Sequence, residues 1–199
     1  MRLWVLLLFL VRLENKVRFL EMDYTNLEFA DNSFDVVFTL ETLVHAYDIN
    51  KVLWEFMRVL KPGGRLVLFE YSMAPERQWE DVLAAKSAKV GEGCNRWTEW
   101  VIEKAAMFSL KKFRHGALAI MLEEADFVDV KAEDISAQVF PSLNRLTRTA
   151  RLPYLLISLF RLQNVFINTT VAAEWFPLIT NPQDDLFRYN IISARKLTV

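Results

Sequence analysis

The chain has 199 residues, 53% of them hydrophobic, and its 24 Lys and Arg against 25 Asp and Glu leave a net charge of −1. This length predicts one domain, residues 1–199, with a sizeable core. The near-neutral charge argues against nucleic acid as a partner, because phosphate binding needs a basic excess. The single cysteine, Cys94, excludes an internal disulfide framework and indicates a reducing, cytoplasmic compartment.

An apolar segment, residues 1–15, opens the chain, with nine apolar residues from Leu3 to Val11. Nine residues are too few to span a bilayer, which takes about 20, and no small-residue cleavage site follows them. We interpret the segment as the remnant of a helix, as a replacement strand or surface anchor, or as a targeting signal. The mean hydropathy of +0.14 is high. It predicts a large core or an apolar surface that meets a lipophilic substrate, a membrane or a partner subunit in an oligomer.

The first strand candidate lies at residues 17–24. A β-α-β unit follows, in which Phe34 to Leu40 and Arg65 to Tyr71 read as buried strands. Between them, apolar residues recur from Ile49 to Leu60 at three- and four-residue spacing, which is typical of an amphipathic helix. Pro62-Gly63-Gly64 cannot continue that helix. The unit predicts two parallel strands.

Further along, helices are predicted over the regions 76–110 and 112–125. Phe127 to Ile135 and Phe187 to Lys196 read as two more strands. The region 142–179 also reads as helical, with Pro153 and Pro177 as interruptions. The alternation of helices and strands predicts an α/β fold whose ligands bind at the carboxyl ends of the strands, where Asp23 and Glu41 fall.

A resemblance to a known family lies in five stretches, among them VRFLEMDYTNLEFADNSFDVVFT, LKPGGRLVLFEY, KKFRHGALAIMLEEADFVDVKAEDIS and FRYNIISARK. They resemble class I S-adenosylmethionine-dependent methyltransferases. These four correspond in order to that family's third and fourth strands, its turn and fifth strand, its late helix and sixth strand, and its last strand. TLETLVHAYD is closest in pattern to the sterol 24-C-methyltransferase group. The resemblance implies a Rossmann-like sheet and S-adenosylmethionine as cofactor. It also implies that the regions 76–110 and 142–179 form a helical cap over an apolar acceptor.

The resemblance assigns roles to particular residues. Asp23 matches the acidic residue that accepts the adenine amino group, and its neighbours Met22 and Tyr24 would pack near the ring. Thr39 and Leu40 would add backbone or packing contacts to the cofactor. Asp23 also has a purely structural reading, since Asp commonly ends a strand and starts a turn.

Candidate catalytic residues follow the predicted strands. Glu41 would stabilise a cationic cofactor or intermediate, although an acidic residue before a helix is favoured by the helix dipole alone. His45, four residues later, shares a helical face with Glu41 and could act as a base. Tyr71, beside Glu70 at the rim of the site, would pack on the acceptor. Two His and one Cys at unrelated spacing do not form a metal site.

One family feature has no counterpart in this sequence. The family's opening strand and glycine-rich turn, which hold the methionine part of the cofactor, precede the third strand, and none of the five glycines lies there. We therefore expect an N-terminally truncated sheet that lacks its first two strands. Two functions remain open: a methyltransferase that acts on a sterol, terpenoid or other lipophilic metabolite, and a descendant without cofactor binding that serves as a partner subunit or a cyclase-like template.

Overall fold

The computed structural model describes residues 17–75, 78, 81, 93–181 and 183–198. The apolar segment 1–15 and most of the predicted helical stretch 76–92 lie outside the described residues.

The predicted β-α-β unit is present. Strand β1 covers Phe34–Leu40, helix α1 covers Ile49–Val59 and strand β2 covers Leu60–Met73. Asp48 caps α1, because its side chain accepts a hydrogen bond from the backbone N–H of Lys51 at 3.1 Å. The two strands pair in parallel, as predicted.

Two glycines make the sharp entry into β2 possible. Gly63 has a φ of +76°, in the left-handed region. At Gly64, an added Cβ would lie 2.8 Å from the carbonyl oxygen of Lys61 and 3.2 Å from that of Asp35. The LKPGG segment therefore lets the end of α1 run directly into the sheet beside β1.

Two further strands complete a four-stranded sheet. Strand β3 covers Phe127–Asp134 and strand β4 covers Phe187–Lys196, and the order is β1-β2-β4-β3. Strand β4 is antiparallel to both of its neighbours. The described residues form a mixed sheet with helices, which confirms the predicted α/β class.

Helices pack against this sheet. Helix α2 covers Gly93–Lys104 and helix α3 covers Ala117–Glu124. The core joins β2 and β4 to α1 and α3, and it includes the buried residues Leu53, Phe56, Leu66, Leu68, Leu118, Leu122, Ile192 and Ala194. On β1, by contrast, the alternate residues Val36, Phe38 and Leu40 are exposed. These three apolar side chains therefore point away from the core face.

The region after β3 is helical. Helix α4 covers Ser136–Leu159, and α5 at Ile167–Thr170, a π turn at Val171–Trp175 and α6 at Phe176–Ile179 follow it. The expected interruption at Pro153 was wrong, because α4 runs through it. Pro153 is exposed, so the carbonyl left without its helical donor can bond to water. Pro177 lies just after the π turn within a continuous helical run, so the regular α-helical bonding does change next to it. The described helices include none with the length and apolar character needed to cross a membrane.

The predicted strand at 17–24 was wrong. These residues form an irregular segment, with Val17, Phe19 and Leu20 exposed and no strand paired with them. A strand is stable only when a neighbour satisfies its backbone groups. Just downstream, side chains of α1 satisfy the backbone groups in place of a neighbouring strand. Glu55 accepts from the N–H of Leu27 at 2.7 Å, and Arg58 donates to the carbonyls of Leu27 and Phe29, both at 2.8 Å.

Candidate functional site

A cavity of about 310 Å³ lies beyond the carboxyl ends of β1 and β2. Its described lining is mostly apolar, with a few polar and charged side chains: Glu41, Val44, His45, Tyr71, Lys104, Ala105, Met107, Ile167, Asn168, Val171 and Phe176. The three predicted catalytic residues, Glu41, His45 and Tyr71, therefore meet around one space. Such a lining is typical of small-molecule sites, in which a few polar groups orient an apolar ligand.

Glu41 is held in a strained backbone conformation at the end of β1. Its φ is +52°, and its N–H donates to the carbonyl of Phe69 on β2 at 2.8 Å. Its carboxylate Oε1 accepts a hydrogen bond from the hydroxyl of Tyr189 on β4 at 3.0 Å. Non-glycine residues in this region of φ cost energy and cluster at functional sites.

Two tyrosines surround the Glu41 carboxylate. Tyr71 and Tyr189 face each other across β2 and β4, with ring centroids 5.0 Å apart. Burial raises the pKa of Tyr71, and a hydrogen bond with Glu41 raises it further. Burial and the charge of Glu41 likewise raise the pKa of Tyr189. Both phenols therefore stay protonated at neutral pH and can donate to a carboxylate.

His45 is exposed at the mouth of this cavity. Its Nδ1 lies 2.9 Å from the carbonyl oxygen of Ala106, which has no proton to give, so Nδ1 is the donor. In the neutral ring, Nε2 then carries the lone pair. His45 can accept a proton through Nε2.

Glu70 does not lie at the rim of the site, where it was expected. The side chain is fully buried, and its Oε1 accepts from the N–H groups of Thr42 and Leu43, both at 2.7 Å. Its Oε2 has no hydrogen-bond partner among the described residues. Burial raises the pKa of Glu70 to about 7. Glu70 therefore supports the turn that follows Glu41 rather than facing an acceptor directly.

The predicted cofactor residues are placed apart from the cavity lining. Asp23 is exposed, and its Oδ1 accepts from the N–H and the hydroxyl of Thr25, both at 2.8 Å. These bonds lower the pKa of Asp23. The Met22 sulfur lies 3.2 Å from the N–H of Glu28. Tyr24 packs against the core, where burial, followed by the charges of Asp23 and Glu70, raises its pKa.

Thr39 and Leu40 lie on opposite faces of β1. Leu40 is exposed, whereas Thr39 is buried and its hydroxyl has no hydrogen-bond partner among the described residues. Thr39 pairs with Leu68, so it shares a face with Glu70 two residues further along β2. Two buried polar atoms without partners in the described chain, Thr39 Oγ1 and Glu70 Oε2, thus occur close to the ends of β1 and β2.

Sequence reasoning missed several residues of the site. Tyr189 was placed on the last strand but not next to Glu41, because that contact depends on the antiparallel register of β2 and β4. Ile167, Val171 and Phe176 fell in the predicted cap without being assigned to a pocket. In the sequence, only the apolar composition of the region 142–179 pointed to these three residues. No metal-binding group of three or more His, Cys, Asp or Glu side chains occurs among the residues that the structure describes.

Comparisons with known proteins agree with this architecture. Residues 9–68 match the family described as "Methyltransferase domain". An S-adenosyl-L-methionine-dependent Diels-Alderase of Talaromyces variabilis is 28% identical over 177 residues, which is 88% of this chain and 56% of that protein. A sterol 24-C-methyltransferase of Gibberella zeae is 33% identical over 128 residues, or 63% of this chain and 30% of that one.

A solved structure shows the same fold. Geranyl diphosphate C-methyltransferase from Streptomyces coelicolor, in complex with S-adenosyl-L-homocysteine, covers 97% of this chain and 56% of its own, with a TM-score of 0.59 and 16% identity. The chain spans little more than half of the Diels-Alderase and less than a third of the sterol methyltransferase. Residues 9–68 thus match the methyltransferase domain family, and the chain is similar to S-adenosylmethionine-dependent enzymes and to sterol 24-C-methyltransferases.

Proposed function

We propose that the protein transfers a methyl group from S-adenosylmethionine to a lipophilic small molecule. The observation that carries this proposal is the apolar cavity at the strand ends, into which Glu41, His45 and Tyr71 converge. A sterol, a terpenoid or another secondary metabolite fits the apolar lining. The relatives support this range of acceptors, since their names include sterols and geranyl diphosphate.

The site residues suit a cationic cofactor. When bound, S-adenosylmethionine supplies an electrophilic methyl group on a positively charged sulfur. Glu41, fixed by Tyr189, provides a preorganised negative charge at the cavity wall, and such fixed charges stabilise a cation without reorganisation. The Thr39 hydroxyl has no hydrogen-bond partner among the described residues, which supports its assignment as a cofactor contact. Met22, Asp23, Tyr24 and Leu40 complete the proposed cofactor set.

The acceptor side is assigned to the rest of the cavity. Tyr71, Val171 and Phe176 provide apolar and aromatic surface that excludes water and orients the acceptor. His45 Nε2 takes up a proton if the methylated atom loses one. We place this activity in the cytoplasm, with an oligomer or a membrane contact accounting for the exposed apolar residues.

A second candidate function has its own support. The match to the Diels-Alderase covers 88% of this chain, more than the sterol methyltransferase match does. A cyclase needs a shaped apolar cavity and a hydrogen-bond donor such as Tyr71, and it does not need a methyl acceptor. The same cavity would then act as a template that holds a flexible substrate in a reactive conformation.

Titration calorimetry with S-adenosylhomocysteine tests cofactor binding. We expect a micromolar dissociation constant for the chain, weakened about tenfold by Glu41→Gln through the loss of a charge-assisted contact. Asp23→Ala should also weaken binding. Glu133→Gln is the matched control, because Glu133 is an exposed carboxylate on β3 that does not line the cavity.

Product analysis then separates the two candidates. Incubation with labelled S-adenosylmethionine and terpenoid or sterol acceptors should give a labelled apolar product that needs His45 and Glu41. Absence of cofactor binding by the chain would remove the methyltransferase proposal. Binding without label transfer, together with a cyclised product, would favour the second candidate.

A further inference from the structure

One face of α4 exposes a row of leucines. Leu152, Leu155, Leu156 and Leu159, here called the leucine ridge, are each 58–73% exposed. The spacing of three and four residues puts all four on one side of the helix. The exposed apolar surface continues beyond the helix into Phe160, Val165 and Phe166, and the opposite side of α4 is buried at Phe140, Thr147, Ala150 and Ile157.

The same surface is positively charged. Arg145, Arg148, Arg151 and Arg161 are all exposed, and residues 136–173 contain no Asp or Glu, although the whole chain has a net charge of −1. None of the four forms an ion pair with a residue that the structure describes. Arg145 and Arg148 lie on the same side of α4 as the leucine ridge, one to two turns before it. The basic charge is therefore concentrated beside the exposed leucines.

The exposed leucines and the neighbouring arginines together favour one kind of partner. A second copy of the chain packed on the same face would bring like charges together, which disfavours a symmetric dimer there. An anionic bilayer complements both features, because leucines enter the boundary between headgroups and acyl chains while arginines bind lipid phosphates. The helix is not one that could cross the membrane. It would lie in the plane of the surface.

We propose that the leucine ridge and the four arginines form a docking surface for an anionic phospholipid bilayer. The residues that follow this surface, Ile167 and Val171, line the cavity, and Ala150 on the buried side of α4 packs against Ala172 and Ala173. Docking would thus bring the cavity wall close to the lipid from which an apolar acceptor can partition. That last link rests on the proposed function, whereas the docking itself does not.

Vesicle sedimentation with the purified chain tests the docking. We expect binding to phosphatidylcholine vesicles that contain phosphatidylserine, weaker binding to phosphatidylcholine alone, and a decrease with added salt. The double variant Leu155→Ser/Leu159→Ser should lose binding to both vesicles. Arg148→Gln/Arg151→Gln should reduce binding to the anionic vesicles about fivefold per arginine and weaken, without abolishing, its salt dependence, because Arg145 and Arg161 remain.

Matched controls use exposed residues elsewhere. Ile120→Ser on α3 and Arg195→Gln on β4 change equally exposed apolar and basic side chains, and both should leave vesicle binding unchanged. Equal binding to the two kinds of vesicle, no binding to either, or unchanged binding by both double variants would overturn the proposal. If a leucine-ridge variant instead changes the oligomeric state measured by light scattering, the face is a protein–protein contact. That result would also overturn the membrane proposal. Vesicle binding needs no cofactor, so it can succeed or fail independently of methyl transfer.

Discussion

At the scale of single residues, Glu41 combines backbone strain with a polar contact in the cavity. Its φ of +52° is a conformation that glycine adopts freely, yet the position carries a carboxylate that Tyr189 binds at 3.0 Å. A strained non-glycine residue persists only where the surrounding structure holds it. The hydrogen bond from the Glu41 N–H to the carbonyl of Phe69 fixes the backbone at this position. The strain is consistent with a carboxylate placed for ligand binding.

Two substitutions at Glu41 separate strain from contact. Glu41→Gly and Glu41→Ala both remove the carboxylate, but only glycine relieves the positive φ. We expect the glycine variant to have a free energy of unfolding about 1 kcal/mol higher than the alanine variant. Denaturant unfolding of the two proteins measures the difference. An alanine variant as stable as the glycine variant would show that the backbone at Glu41 is not strained.

Glu70 predicts a pH dependence of stability. Its pKa is raised to about 7 in the folded protein from an ordinary value of 4.5, so the folded state binds this proton more tightly than the unfolded chain does. The free energy of unfolding should therefore fall as pH rises from about 4.5 to about 7, by about 3 kcal/mol over that window. Denaturant unfolding at several pH values measures this loss.

Glu70→Gln should remove that part of the pH dependence. Glutamine keeps an oxygen that can accept from Thr42 and Leu43, and it has no proton to release. The exposed control Glu133→Gln should keep the dependence of the natural chain. If Glu70→Gln unfolds with an unchanged pH profile, another group is responsible.

At the scale of elements, the connection from α1 to β2 depends on close packing. The Cβ of an alanine at position 64 would meet two backbone oxygens, those of Lys61 and Asp35, which cannot move aside as a flexible side chain could. At Gly116, before α3, an added Cβ meets nothing within 4 Å, although the φ of +85° is unfavourable for alanine. The two glycines are therefore required for different reasons.

The comparison of two glycine variants tests this distinction. We expect Gly64→Ala to lower the free energy of unfolding by about 2 to 3 kcal/mol, because the backbone of β1 or β2 must shift. Gly116→Ala should lower it by only about 1 kcal/mol, the cost of a left-handed alanine. Thermal and denaturant unfolding of both variants measure the costs. Equal losses would mean that the entry into β2 relaxes easily.

At the scale of the whole molecule, stability should be greatest around β2. This strand pairs with β1 on one side and β4 on the other, and Leu66, Leu68 and Glu70 are fully buried. The segment 17–22, by contrast, has mostly exposed side chains and no strand pairing. Backbone protection should follow this contrast, because opening a central strand requires most of the fold to open.

Hydrogen exchange by mass spectrometry can measure that distribution. Amides from Leu66 to Ser72 should exchange slowest, and those of residues 17–22 should be among the fastest in the described chain. Peptides from the exposed end of α4 should exchange at an intermediate rate and serve as an internal reference. Slow exchange at 17–22 would indicate that this segment is a paired strand after all.

Local sequence patterns were sufficient for most of the elements. The apolar run at 34–40, the three- and four-residue spacing at 49–59 and the late strand at 187–196 each form the predicted element. The predicted burial of the strand at 34–40 was wrong, because Val36, Phe38 and Leu40 are exposed. The segment 17–24 has similar apolar content and forms no strand. A strand depends on a neighbouring edge, and nothing in a local pattern says whether one is free.

The local sequence alone predicted the resemblance to the methyltransferases, the α/β class and the position of Glu41, His45 and Tyr71 close to strand ends, because motifs and periodicity are local properties of the chain. Only the tertiary structure decided that these three line one cavity, that Tyr189 binds Glu41, that Glu70 is buried and that the leucines of α4 are exposed. Those features depend on strand register and on which faces meet. The strand register and the choice of packed faces are fixed by contacts between residues far apart in the chain, such as Tyr71 with Tyr189.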